Sequence, residues 1–206
     1  IARFWDVDSG AVLVNGRDVR DQPSRELLSS MSLVFQDVML STDTVRANIA
    51  LGNADATDHE IEEAAKAACI HDRIMQLPDG YDTIIGEGAH FSGGEAQRLT
   101  IARAFLAASP ILILDEATAQ ADSHSERLIQ QAISNLAQKR TVIVIAHRLS
   151  TIQGVDQIAV IDAGRLVELG THDELLTRDG PYARLWRNQA DITHAREGFE
   201  GKEPAC

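Results

Sequence analysis

Lysine is scarce in this chain. Only Lys66, Lys139 and Lys202 occur among 206 residues, and none closes a Gly-x-x-x-x-Gly-Lys-[Ser/Thr] run. The glycine-rich loop that cradles phosphates with backbone amides, and the lysine that reaches the outer phosphates, are therefore absent from this sequence. Cations as a class are outnumbered: 19 Lys and Arg face 31 Asp and Glu, for a net charge of −12. That balance excludes an extended nucleic-acid groove, which needs a basic face. No apolar run approaches the roughly 18 residues that cross a bilayer. No signal-peptide pattern is visible, and the chain opens on Ile1 rather than Met. Cysteine is nearly missing as well. Cys69 and Cys206 lie far apart and suit structural filling in a reducing compartment rather than a disulfide framework.

What remains is an ordinary globular composition, 44% hydrophobic and 24% charged, long enough for one sizeable core or a core with a small subdomain. Ala11-Val12-Leu13-Val14 reads as a strand and Asn15-Gly16 as a hairpin turn. Ser24 to Ser29 reads as a short helix and Ser32-Leu33-Val34-Phe35 as a strand ending at Gln36. From Thr44 to Ala108 the pattern is helical. Thr57 and Glu60 fit a capping box ahead of Ile61, Ala64, Ala65 and Ala68. Ser92 and Glu95 fit another, followed by an apolar stripe of Ala96, Leu99, Ala102 and Leu106 that Ser109-Pro110 stops.

Strands and helices then alternate. Ile111–Leu114 and Thr141–Ala146 read as strands, with a helix from Asp122 between them that shows Ile129, Ala132, Ile133 and Leu136 on one face. Ile158–Ile161 and Leu166–Glu168 flank an Asp162–Arg165 turn, Thr171 caps a helix, and Pro181 starts the last one. The alternation predicts an α/β fold with a largely parallel sheet and a helical insert at its edge. The expected divisions are 1–43 and 109–188 as core, 44–108 as a helical subdomain, and 189–206 as a loose polar tail.

Three apolar runs end in polar groups: Phe35 into Gln36, Leu114 into Asp115-Glu116, and Ala146 into His147. Open parallel sheets bind ligands at the carboxyl ends of their strands, so these side chains share one edge if the strands are neighbours. Any one of them alone reads as a polar residue entering a loop; three together point to a site. Asp115 and Glu116 are adjacent and cannot face the same way. One can seat a divalent metal while the other orients water. Ser92-Gly93-Gly94-Glu95 offers free amides at a helix start, an anion seat. A capping box alone accounts for Ser92 and Glu95 but not for two adjacent glycines, which are costly in a helix start unless backbone approaches something closely.

These stretches also carry a resemblance. Ser92-Gly93-Gly94-Glu95 resembles the signature loop of ATP-binding-cassette (ABC) ATPases, usually Leu-Ser-Gly-Gly-Gln. Ile111–Leu114 running into Asp115-Glu116 resembles their Walker B strand. The match runs from about Ala11 to Asn188 with several motifs in the family's order. The resemblance implies a P-loop NTPase-like α/β fold with ATP and Mg²⁺ as ligands. It implies that Asp115 holds the metal, with Gln36 reaching it from a Q-loop, and that Glu116 polarises the attacking water. His147 would contact the γ-phosphate. Ser92, Gly93 and Gly94, with Glu95, would bind the γ-phosphate of ATP held by an opposite subunit. Asp122 resembles the D-loop aspartate at the dimer interface, although the usual larger apolar residue before it is here Ala121 after Gln120.

Thr83-Ile84-Ile85-Gly86-Glu87-Gly88 resembles the X-loop of exporter-type ABC proteins, whose acid contacts the membrane domain; that role would fall to Glu87. Implied partners are a transmembrane domain and a second nucleotide-binding domain, identical or not, on the cytoplasmic side of a membrane, with no nucleic acid. Some iron-siderophore importers share this architecture. The family places its phosphate loop and its adenine-stacking aromatic just before Ile1, so a missing N-terminal part, and inactivity of this chain by itself, are expected. Two other readings stand beside it: a soluble ABC ATPase of DNA repair or translation, and a non-catalytic fragment that pairs with a complete domain.

Overall fold

The computed structural model describes residues 1–35, 37–115, 123–146 and 149–189. They form two compact units, Ile1–Ile145 and Ala146–Cys206.

The first unit opens with a hairpin, β1 (Leu13–Val14) against β2 (Arg17–Asp18). Its turn puts Asn15 at φ 52° and Gly16 at φ 76°, the doubly left-handed geometry that Asn-Gly tolerates. The strand is shorter than the run Ala11–Val14 because only its last two residues pair across the turn. Helix α1 (Ser24–Ser29) leads into β3 (Met31–Val34), one residue earlier than the apolar pattern indicates. Helices α2 (Val45–Ala50), α3 (Asp58–Ala67), α4 (His71–Met75) and α5 (Gly93–Ala107) follow. Strand β4 (Ile111–Asp115), helix α6 (Ser123–Ala137) and strand β5 (Thr141–Ile145) complete the unit.

The sheet is β3-β4-β5, all parallel, with Val34, Leu114 and Val144 abreast. Alternation along β4 decides its faces. Leu112 and Leu114 join Val34 in a large core with α2, α3, α4, α5 and α6. Ile111 and Ile113 turn the other way, against Val14, Val19, Leu27 and Met31. The helices between Thr44 and Ala108 therefore share one core with the strands. Each fully buried Leu or Ile contributes about 1.5–3 kcal/mol.

Local signals set the helix ends. The Thr57–Glu60 capping box forms at the start of α3. Helix α5 stops where Ala108 turns left-handed at φ 51°, ahead of Pro110. Helix α5 departs from the single stripe read from its sequence. It buries Gln97, Arg98, Leu99, Ile101, Ala102 and Ala104, because it packs against α2, α3, α6 and β3 at once. Gly52 marks its closest approach to α2: a Cβ there would lie 2.1 Å from the Arg103 carbonyl oxygen.

The second unit pairs β6 (Ile158–Asp162) antiparallel with β7 (Arg165–Gly170) around Ala163 and Gly164, both left-handed. Helix α7 (His172–Thr177) carries a Thr171–Glu174 capping box, and α8 spans 181–189. Leu149, Ile152, Ile158, Leu175 and Tyr182 form its core, where the Tyr182 hydroxyl meets His172 Nδ1 at 2.8 Å.

One polar side chain holds much of the first unit's connecting chain. Asn48 is fully buried in α2. Its Oδ1 accepts from the Ser41 amide at 2.9 Å, and its Nδ2 donates to the Ser41 and Thr44 carbonyls at 3.0 Å each. Asn48→Ala strands those groups and should cost about 1–3 kcal/mol, read as a lower urea midpoint at unchanged m-value. A stability loss, midpoint shift times m-value, below about 0.5 kcal/mol would show that water replaces the side chain.

Candidate functional site

The condition set by the sequence is met for the strands. β3, β4 and β5 are parallel neighbours in continuous register, so their carboxyl ends form one edge. Asp115 is the last residue of β4 and pairs with Ile145, the last of β5. Phe35 follows the end of β3, and its carbonyl accepts from Gln97 Nε2 at 3.2 Å. Gln36, Glu116, Asp122 and His147 lie outside the described residues.

Ser92 to Glu95 form one turn at the start of α5. Ser92 Oγ accepts from the Glu95 amide at 3.3 Å, and Glu95 Oε2 accepts from the Ser92 amide at 2.9 Å. The capping box is therefore real, yet it leaves the Gly93 and Gly94 amides, which by helix geometry have no acceptor within α5. A Cβ on Gly93 would meet nothing within 4 Å, and its φ is not left-handed. Neither packing nor backbone conformation in this chain calls for glycine there. The space beside Gly93 suits a group that approaches its amide from outside, while Gly94 is buried, and an anion is what a helix N-terminus favours.

Glu87 is exposed in a turn held by Gly86 N to the Ala89 carbonyl at 2.9 Å and Gly88 N to the Ile84 carbonyl at 3.0 Å. The Val45 amide donates to the Thr83 carbonyl at 3.0 Å, tying that turn to the start of α2. No described hydrogen bond joins Glu87 to Asp115 or to the Ser92 turn. Among the described residues no cluster of three His, Cys, Asp or Glu side chains stands ready as a metal seat.

Three supporting residues had no individual role in the sequence reading. Gln97 carries the bond to Phe35 just described. Arg103 donates from Nε to the Asn48 carbonyl at 2.9 Å and from Nη1 to the Met39 carbonyl at 3.3 Å, and burial pushes its guanidinium pKa down. Asn48 is the third. Their signal was present: polar residues interrupting otherwise apolar helical faces. An apolar-stripe reading passes over them because it assigns polar positions to solvent.

A sequence profile of the family described as ABC transporter matches residues 1–119. The chain is 55% identical over 186 residues to the mycobactin import ATP-binding/permease protein IrtA of Mycolicibacterium smegmatis, covering 90% of this chain and 22% of that protein. It is 50% identical over 190 residues to YgaD of Bacillus subtilis, an ATP-binding/permease protein whose name provisionally assigns it to multidrug export, covering 92% of this chain and 33% of that one. A solved bacterial Atm1-family ABC exporter with ATP bound superposes with a TM-score of 0.85 at 43% identity, covering all of this chain and 34% of that one. The chain thus spans between about a fifth and a third of these proteins.

Because no part of this fold needs glycine at position 93, Gly93→Ala should leave the urea midpoint unchanged or raise stability by up to about 1 kcal/mol. A clear loss of stability would show that the turn itself requires glycine.

Proposed function

The chain belongs to the ABC transporter family, and from that premise we propose that it is the greater part of an ATP-hydrolysing domain that drives a solute across a membrane. The observation that carries the reading is the parallel β3-β4-β5 edge, with Asp115 at the end of its central strand. The same unit carries a capped helix start at which a Cβ on Gly93 would meet nothing within 4 Å.

In this reading Asp115, with Gln36, holds Mg²⁺, which supplies charge neutralisation on the phosphates. Glu116 orients the water and takes its proton, and His147 donates to the γ-phosphate oxygen. The Ser92 hydroxyl and the Gly93 and Gly94 amides bind the γ-phosphate of ATP carried by a second nucleotide-binding domain. Asp122 lies at that domain interface. Glu87, exposed in its turn, meets a membrane-spanning domain. No helix among the described residues is long and apolar enough to cross a membrane, so in this reading the chain sits against one through its partner, on the cytoplasmic face. The architecture is of exporter type; the names of the relatives include both import and export.

Two expected outcomes test this. In the complete transporter, Glu116→Gln should lower ATP turnover by about 10²-fold or more while ATP-dependent domain pairing persists. Gly93→Ala should weaken pairing without loss of stability. Undiminished turnover in Glu116→Gln would remove that residue from the mechanism. A further outcome concerns the chain by itself. No Gly-x-x-x-x-Gly-Lys-[Ser/Thr] loop is present, so the main donors to the β- and γ-phosphates are missing. Titration of the isolated chain with MgATP should show no measurable binding or hydrolysis. A micromolar Kd would overturn that expectation.

A further inference from the structure

The turn at the start of α5 carries a carboxylate, Glu95, where the family's usual signature has a neutral glutamine. A carboxylate in the first helical turn suits the helix dipole. It also sets a negative charge beside amides that, in the proposed function, receive a phosphate. The structure supplies a cation. Arg73 in α4 donates from Nε to Glu95 Oε1 at 3.0 Å, while Glu95 Oε2 stays on the Ser92 amide at 2.9 Å. The same guanidinium lies over the Phe91 ring, 5.7 Å from its centroid, and its Nη2 donates to the His90 carbonyl at 3.5 Å. One side chain therefore grips the turn at its charge, its ring and its backbone. The pair is sheltered but not sealed: the side chains are 31% and 21% exposed. Both line a cavity of about 610 Å³ shared with Cys69, Arg98 and His124.

We propose that Arg73 is a positioning residue for the nucleotide. It neutralises Glu95 and fixes the turn, so that Ser92, Gly93 and Gly94 can accept the γ-phosphate of ATP held by a second domain. The proposal rests on the function given above. It assigns to α4, a helix outside every recognised motif, a direct part in setting nucleotide affinity. The charge departure and its compensation form one device: the acid strengthens the cap, and the arginine removes the acid's repulsion of phosphate.

The test is a double-mutant cycle in the complete transporter, with KM for ATP, kcat and urea midpoint measured for wild type, R73M, E95Q and R73M/E95Q. R73M should raise KM about three- to ten-fold, the scale of a sheltered ion pair, with kcat changing less. The penalty should shrink as salt is raised. In the presence of E95Q, R73M should change KM by less than about two-fold, because no charge is left to neutralise. R73K, which keeps the charge but loses the planar fork and the ring contact, should recover the salt-dependent part of the loss and not the rest. If Arg73 only props up the turn, R73M will cost as much with E95Q as without it, the penalty will not depend on salt, and the proposal falls. It also falls if R73M leaves KM unchanged in an active transporter. If R73M does not fold, the R73K and E95Q arms carry the same decision through KM and its salt dependence. A wild-type transporter that neither binds nor hydrolyses ATP would instead sink the functional reading beneath it.

Discussion

The parallel seating of β4 between β3 and β5 is the constraint on which the rest of the first unit depends. The strand must bury both faces. Leu112 and Leu114 enter the core built with the helices, and Ile111 and Ile113 face the cluster around Leu27. A slip of one residue would exchange these faces, so the register is fixed by packing alone. Parallel direction then follows from the long connections, since strands joined through helices run the same way. The placement of Asp115 is a by-product: it is the next residue after Leu114, at the point where the strand leaves the core. Hydrophobic alternation in the strand thus carries a polar group to the sheet edge.

Helix α5 turns this edge into something with parts that can be joined. At its start is the Ser92–Glu95 turn, in its first half Gln97 holds the carbonyl of Phe35, and near its end Arg103 holds those of Asn48 and Met39. The backbone just before and just after Gln36 is therefore fastened to the same rod that carries the glycine turn. Fifteen residues of helix span roughly 22 Å. All of these bonds are made by side chains that an outward-facing helix would have spent on solvent. Burying Gln97 and Arg103 carries a desolvation cost, and hydrogen bonds to otherwise unmet backbone carbonyls offset it.

Much of this was legible in the sequence where the signal is local. The Asn15-Gly16 turn, the boxes at Thr57, Ser92 and Thr171, and the stop after Ala108 each depend on a few neighbouring residues, and the structure shows each of them. The order and direction of β3, β4 and β5 were legible only as a condition, because pairing is a long-range fact that no window of sequence contains. Arg73 was illegible for the same reason: it lies 22 residues before Glu95 and belongs to no motif. Helix α5 was misread as one-sided because hydrophobic periodicity reports a single buried face, and this helix is packed on several. Gln36, Glu116, Asp122 and His147 lie outside the described residues, and their roles rest on the resemblance.

Two glycines separate what the fold requires from what a ligand requires. Gly52 is there for packing: the Arg103 carbonyl oxygen leaves no room for a Cβ. A Cβ on Gly93 would meet nothing within 4 Å, and its backbone is not left-handed. A folded chain under selection for stability alone would gain from alanine at the start of α5, where glycine carries an entropy cost and no compensating contact. In the proposed function, a group from outside this chain that comes close to that amide offsets the cost. The neighbouring capping box bounds what that something can be. Ser92 and Glu95 satisfy each other's amides and hold the turn, so the exposed Gly93 amide keeps a fixed direction rather than being left to fray. Preorganised donors of this kind gain most from a compact anion, since no ordering cost remains to be met when it arrives. In the proposed function, the same box that explains the turn as ordinary helix chemistry also makes it effective as a phosphate seat.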